Sequence, residues 1–212
     1  MLEEISEMAI EFEIKLALPR YLKNRTVESA ISAVDGIVLG SWSEHMQDNT
    51  YFDSCDGAVR QARIALRHRR VDGRHVVTVK TAAPGGARHD WESDFDGADI
   101  PKALGELDIS IPLPPVEDII SGKTTLVPIA RTDYLRRCCE VRYRDCTAEI
   151  AIDRGVLRKG DIRRSFAELE LELISGNEED VRQLAEIVRT RLGLRYELRG
   201  KLSRAMNLRK RK

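Results

Sequence analysis

Alternation of apolar and polar positions dominates the chain. Residues 9–18 set Ile10, Phe12, Ile14 and Leu16 against Glu11, Glu13 and Lys15, a period of two that predicts a strand with one buried face. Pro19 stops it. Residues 166–174 carry the same pattern most clearly, with Leu169, Leu171 and Leu173 alternating with Glu168, Glu170 and Glu172. Further strands are predicted at 50–54, 63–70, 75–81, 88–95, 126–133, 135–144 and 147–153. Asp72-Gly73 suits a tight hairpin turn, and Asp153-Arg154-Gly155 reads as another turn. Residues 26–34 predict a short helix. Residues 97–122 hold four of the seven prolines and read as a helical excursion, with helices at 102–107 and 116–121. After Ser175-Gly176, Asn177 is an N-cap, Glu178, Glu179 and Asp180 suit a first turn, and Gly193 closes the helix. Val181, Leu184, Ala185, Val188 and Leu192 share one face of it.

About eight strands with a few peripheral helices, in an order that is not βαβ, predict an α+β, mainly β fold built as an antiparallel barrel or sandwich. Composition narrows the partners. The 212 residues hold 35 basic and 35 acidic side chains, and aromatics are 5%, so neither a nucleic-acid partner nor an anionic membrane surface is expected. The four cysteines, Cys55, Cys138, Cys139 and Cys146, form no zinc spacing. With no signal-peptide pattern and no apolar run of spanning length, a cytoplasmic protein with free thiols is expected. His45, His68, His75 and His89 show no convincing partners and receive no catalytic role. Residues 1–8 read as a polar leader and 207–212 as a basic, solvated tail.

The charged faces are sorted by sign. Glu168, Glu170 and Glu172 share one face; Arg63, Arg67 and Arg69 share another. Carboxylates at i and i+2 lie ~6.5–7 Å apart and repel by roughly 2 kcal/mol at an effective dielectric of about 20. Something cationic must sit among them, and a divalent metal is the simplest candidate. Arg67 with Arg69, Lys80 and Arg136 come from three separate strands, and their convergence would be justified by a polyanion such as a linear triphosphate.

These residues resemble a known family. Glu11-Phe12-Glu13-Ile14-Lys15 resembles the ExExK signature of the CYTH superfamily, the triphosphate tunnel metalloenzymes. Leu66 to Arg69 and Thr78 to Lys80 resemble its basic strands, Arg88 with Asp90 and Glu92 its RxExE element, and Thr132 with Arg136 its TxxxR strand. Glu149 with Asp153 to Gly155 resembles EIxxDxG, and Glu168 to Glu172 resembles the closing ExExE strand. The set covers residues 9–206 and is most similar to the bacterial inorganic triphosphatase branch. That branch often adds a C-terminal histidine-rich helical domain (CHAD), of which these residues hold no counterpart. Ser203-Arg204 departs from the family's Ser-Lys, with Lys201 two residues earlier.

The resemblance implies a closed eight-stranded antiparallel barrel and hydrolysis of tripolyphosphate to pyrophosphate and phosphate with Mg2+ or Mn2+. It implies that Glu11, Glu13, Glu170 and Glu172 are catalytic and, with Glu168, hold metal. Lys15, Arg67, Arg69, Lys80, Arg136, Lys201 and Arg204 would bind substrate, supported by Arg88, Glu92, Glu149 and Asp153. A class IV-type adenylate cyclase or a thiamine triphosphatase on the same fold, and a non-catalytic polyphosphate-binding module, are the alternatives. The expected partner is tripolyphosphate or another small molecule bearing a triphosphate, and the expected state is a monomer or homodimer.

Overall fold

Residues 12–82 and 88–210 are described in the computed structural model. The strands are β1 (Glu13–Ala17), β2 (Ile37–Leu39), β3 (Ser43–Ser54), β4 (Ala65–Val71), β5 (Arg74–Ala82), β6 (Arg88–Phe95), β7 (Leu126–Tyr143), β8 (Cys146–Lys159), β9 (Ile162–Gly176) and β10 (Arg195–Tyr196). The helices are α1 (Asn24–Ser32), α2 (Ala58–Gln61), α3 (Ile100–Gly105), α4 (Pro114–Ile120), α5 (Glu178–Leu192) and α6 (Lys201–Met206).

Strand pairing follows the order β10-β1-β9-β8-β7-β3-β4-β5-β6, with β2 beside β7. The mainly β, antiparallel character agrees with the sequence pattern; the closed eight-stranded barrel does not. Closure requires every strand to have a partner on both sides. Among the described residues the order ends at β10 and β6, which are not paired with each other. The β10 end is only two residues long, too short to offer a second edge.

The chain divides into two compact units. The first holds Asp48–Arg131 and the second holds Phe12–Gln47 and Thr132–Lys212, with the described ends as above. In the first unit, Leu66, Val77, Val79 and Trp91 turn one face of β4, β5 and β6 onto Val59, Leu104, Val116 and Ile119 of the short helices. The opposite parity therefore carries Arg67, Thr78, Lys80 and Glu92. The predicted hairpin forms, with Asp72 at φ 49° and Gly73 at φ 80° in its turn.

In the second unit, Leu16, Ile150, Ile152, Leu169 and Leu171 pack against Val27 and Ile31 of α1 and Val181, Leu184 and Val188 of α5. Each fully buried aliphatic of this set contributes about 1.5–3 kcal/mol. α5 begins and ends as its sequence dictates: the Asn177 side chain accepts from the Glu179 N–H at 2.9 Å, and Gly193 takes φ 62°.

Several boundaries differ from the sequence reading: β3 begins at Ser43 rather than residue 50, and β9 runs from Ile162. Leu126–Tyr143 form one strand rather than two, and Asp153-Arg154-Gly155 lies inside β8, with Gly155 opposite Phe166. Gly155 is there for close approach: a Cβ would overlap the Asp133 carbonyl oxygen and the Tyr134 side chain.

Candidate active site

Three neighbouring strands of the second unit stack their carboxylates in rows. In the register of β1, β9 and β8, Glu13 is opposite Glu172, which is opposite Glu149. The next row is Lys15, Glu170 and Ala151, and the next is Ala17, Glu168 and Asp153. Residues opposite each other on one face have Cβ atoms about 4.5–5.5 Å apart, and like charges there are destabilising. The alternation that buries Leu169 and Leu171 behind the sheet thus sets Glu172 between acids on both neighbouring strands and Glu168 opposite one, Asp153.

Cations from β7 and α6 answer them. Arg136 grips Asp153 bidentately, Nε to Oδ1 and Nη2 to Oδ2, both at 2.9 Å. Its Nη1 reaches Glu149 at 3.3 Å, and Nη2 also contacts Glu170 Oε2. Lys201, at the start of α6, donates to Glu170 Oε1 at 2.8 Å, lies 2.7 Å from Asp153 Oδ2 and touches Glu168 Oε1. Arg204, one turn on, pairs with Glu168 Oε2 and lies 3.6 Å from Glu197. Lys15 pairs with Glu13. Asp153 and Glu168 are fully buried and Glu170 nearly so. Oppositely charged groups ~3 Å apart attract by about 5–6 kcal/mol at an effective dielectric near 20, enough to offset a desolvation cost of several kcal/mol per ion.

The protonation states follow from this balance. Burial opposes ionisation of Glu170, but Lys201, Arg136 and Lys15 outweigh it and hold its carboxyl well below the usual range. Burial dominates at Glu168 and raises its carboxyl despite Lys201. Burial also disfavours the cations of Lys201 and Arg136, yet Glu170 and its neighbours hold both well above their ordinary values.

The side-chain oxygens of Asp153, Glu168 and Glu170 lie within 4.8 Å of one another, close enough for an ion. Both oxygens of Glu168 and both of Glu170, however, already face cations of the chain. Glu13, Glu149 and Glu172 form a second donor set. All three are half-buried oxygen donors in one row; Lys15 pairs with Glu13, and an edge of Arg136, shared with Asp153 and Glu170, reaches Glu149. A hard dication that keeps several waters fits that row.

The basic residues of the first unit form their own rows. Arg67, Thr78 and Glu92 are in register. Arg67 donates to Thr78 Oγ1 from Nε at 3.3 Å and from Nη2 at 3.0 Å, and that hydroxyl lies 3.4 Å from Glu92 Oε2. Lys80 pairs with Asp90. Arg69 donates from Nε to Asn49 Oδ1 at 3.2 Å. Glu11 and the Arg88 side chain lie outside the described residues.

The sequence reading passed over several of these partners. Asn49, fully buried, lies on β3, whose alternate residues Gln47, Asn49, Tyr51 and Asp53 are all buried; three of the four are polar, so no hydrophobic alternation marks that face in the sequence. Thr78 and Glu197 were likewise not singled out. His68 and His75 do have partners: they share a hydrogen bond at 2.8 Å, with Phe95 edge-on to both rings.

Comparison with known proteins places these rows in context. The chain is 29% identical over 187 residues to an inorganic triphosphatase of Haemophilus influenzae, covering 88% of this chain and 49% of that protein. It therefore spans about half the length of that relative. The fold resembles that of HpAC1 from Hippeastrum, an adenylyl cyclase homologue with a dominant triphosphatase activity, at TM-score 0.59 and 19% identity over 95% of this chain and 98% of that one. It also resembles the PH1819 protein of Pyrococcus horikoshii, at TM-score 0.55 and 16% identity over 91% and 96%. No helix among the described residues is long and apolar enough to cross a membrane. The family model of the CYTH domain matches residues 9–205, nearly the whole chain, and the chain belongs to that family.

Proposed function

We propose that this chain hydrolyses inorganic triphosphate to pyrophosphate and phosphate with Mg2+ or Mn2+ bound. The observation that carries the reading is the in-register row of three half-buried carboxylates, Glu13, Glu172 and Glu149, on adjacent strands of the CYTH domain. Kinship with an inorganic triphosphatase supports the choice of substrate. In this reading Glu13, Glu149 and Glu172, with Glu11, hold the dication. When bound it neutralises phosphate oxygens and lowers the pKa of the attacking water.

The other residues position and neutralise. Arg67, Arg69 and Lys80 take phosphate oxygens, which suit a planar fork and a compact ammonium. Thr78 and Asn49 fix the two guanidinium planes, so less ordering remains when substrate arrives. Arg136 and Lys201 keep Glu170 ionised and hold the deeper carboxylates in place. Glu92 and Asp90 orient Arg67 and Lys80.

The test is Glu172→Gln, which keeps shape and removes one charge. Phosphate release from tripolyphosphate at saturating Mn2+ should fall at least a hundredfold, with the thermal melt unchanged. Wild-type turnover in that variant refutes the assignment. Running ATP and thiamine triphosphate beside tripolyphosphate, with cyclic AMP assayed, tests the substrate: preference for either organic triphosphate overturns the inorganic one.

A further inference from the structure

The deepest acidic pocket of the second unit holds an ammonium group. Asp153, Glu168 and Glu170 face Lys201, Arg136 and Arg204, so three carboxylates meet three cations and no surplus charge remains. The Lys201 ammonium lies against three carboxylate oxygens, one from each acid, and donates a hydrogen bond to Glu170 Oε1. The rings of Tyr134 and Phe166 flank the same nitrogen, with centroids 4.9 and 5.8 Å away, so its remaining surroundings also favour a cation. The lysine is only 9% exposed. Its helix is fixed at the far end by Lys159, whose ammonium donates to the Met206 carbonyl at 2.7 Å.

We propose that Lys201 is the resident cation of this pocket, occupying the place that a dication would take among Asp153, Glu168 and Glu170 and excluding metal from it. A dication there would lie against the ammonium and two guanidinium groups in a site without excess negative charge. Metal is thereby left to carboxylates outside this pocket. The inference rests on the reading that the protein uses a dication; it concerns the number and place of the ions rather than the reaction.

The experiment counts Mn2+ bound by the full chain, without phosphate, from the electron paramagnetic resonance of the free ion. Lys201→Met opens the pocket and should bind one Mn2+ per chain more than wild type. Glu168→Gln, with Lys201 in place, should leave the number bound unchanged and the affinity within twofold. A Lys201→Met protein that binds the wild-type number, or a Glu168→Gln protein that loses an ion, overturns the proposal. If Lys201→Met does not give a cooperative thermal melt, Glu168→Gln alone decides, since a pocket that normally holds metal must lose it there. Tripolyphosphate hydrolysis is not read in this count. A chain that counts Mn2+ as expected but releases no phosphate sinks the triphosphatase reading and leaves this one standing.

Discussion

Arg136 and Arg137 are neighbours on β7 whose side chains meet very different surroundings, and replacing each by methionine separates buried from surface electrostatics. Arg136 makes four contacts with three carboxylates and its side chain is 13% exposed. Removing it takes the bidentate partner from Asp153, which is fully buried, and leaves both Asp153 and Glu170 to share Lys201 as their close cation. Breaking a buried pair by deleting one partner costs about 3–5 kcal/mol. At roughly 2–4 °C per kcal/mol for a domain of this size, the melting temperature should fall by about 6–20 °C. Arg137 also pairs with two acids, Glu28 at 2.6 Å and Glu44 at 3.3 Å, but is more open to water. Its loss should cost about 0–1 kcal/mol. The assay is urea unfolding of both variants and wild type at neutral pH without added metal. If Arg136→Met loses less than about 1 kcal/mol, or both variants lose the same, the pocket is not electrostatically dry and the reasoning fails.

Three further changes test other parts of the structure. Thr78→Val keeps the β-branched shape but removes the hydroxyl under Arg67; the KM for tripolyphosphate should rise about three- to thirtyfold, as one or two hydrogen bonds would give, with kcat held and Thr78→Ser restoring it. An equal fall in kcat would contradict a positioning role. Gly155→Ala forces a methyl into the Asp133 carbonyl and Tyr134 and should destabilise by about 3 kcal/mol or more, read by urea unfolding; a neutral result would mean the strands can separate there. Burial raises the Cys138 and Cys146 thiols and pushes Cys139 up to about 12, whereas hydrogen bonds from Thr124 and Thr125 lower that of exposed Cys55. At pH 8 only about one Cys139 in ten thousand is a thiolate, so a disulfide reagent should titrate one fast thiol in the native protein and four after denaturation. Two or more fast native thiols would show that the core opens.

The glutamate face of β9 could be read from the sequence because strict alternation leaves one parity to pack and the other to face charge. α5 could be read for a similar reason, since cap, first-turn acids, spacing and closing glycine all agree. α6 could not. Six residues are too few for a periodic signal, and its two cations sit at i and i+3, a spacing common on any surface helix. Nothing local ties Lys201 to Asp153, so the pairing exists only once β8, β9 and α6 are assembled. Closure failed as an expectation for a different reason. Alternation says that a strand has two faces, but not whether its edge finds a partner, and β10 is too short to announce itself. Gly155 was misread because a glycine required by close approach looks, in sequence, like a glycine required by a turn.

The register also sharpens the electrostatic argument that the sequence began. Repulsion within β9 alone, roughly 2 kcal/mol per neighbouring pair, calls for some cation nearby. Across the sheet the demand is larger, because Glu168 faces Asp153, and Glu172 faces both Glu13 and Glu149. The deeper row is neutralised by the chain itself, through Arg136, Lys201 and Arg204. The shallower row meets Lys15 and one shared edge of Arg136. A fold that pairs its buried row internally, where a bare charge is most costly, and gathers three carboxylates in a row that water can reach sets its structural carboxylates apart from the ones proposed to bind metal. Equal numbers of acids and bases in the whole chain conceal this sorting, which exists only in the register of the sheet.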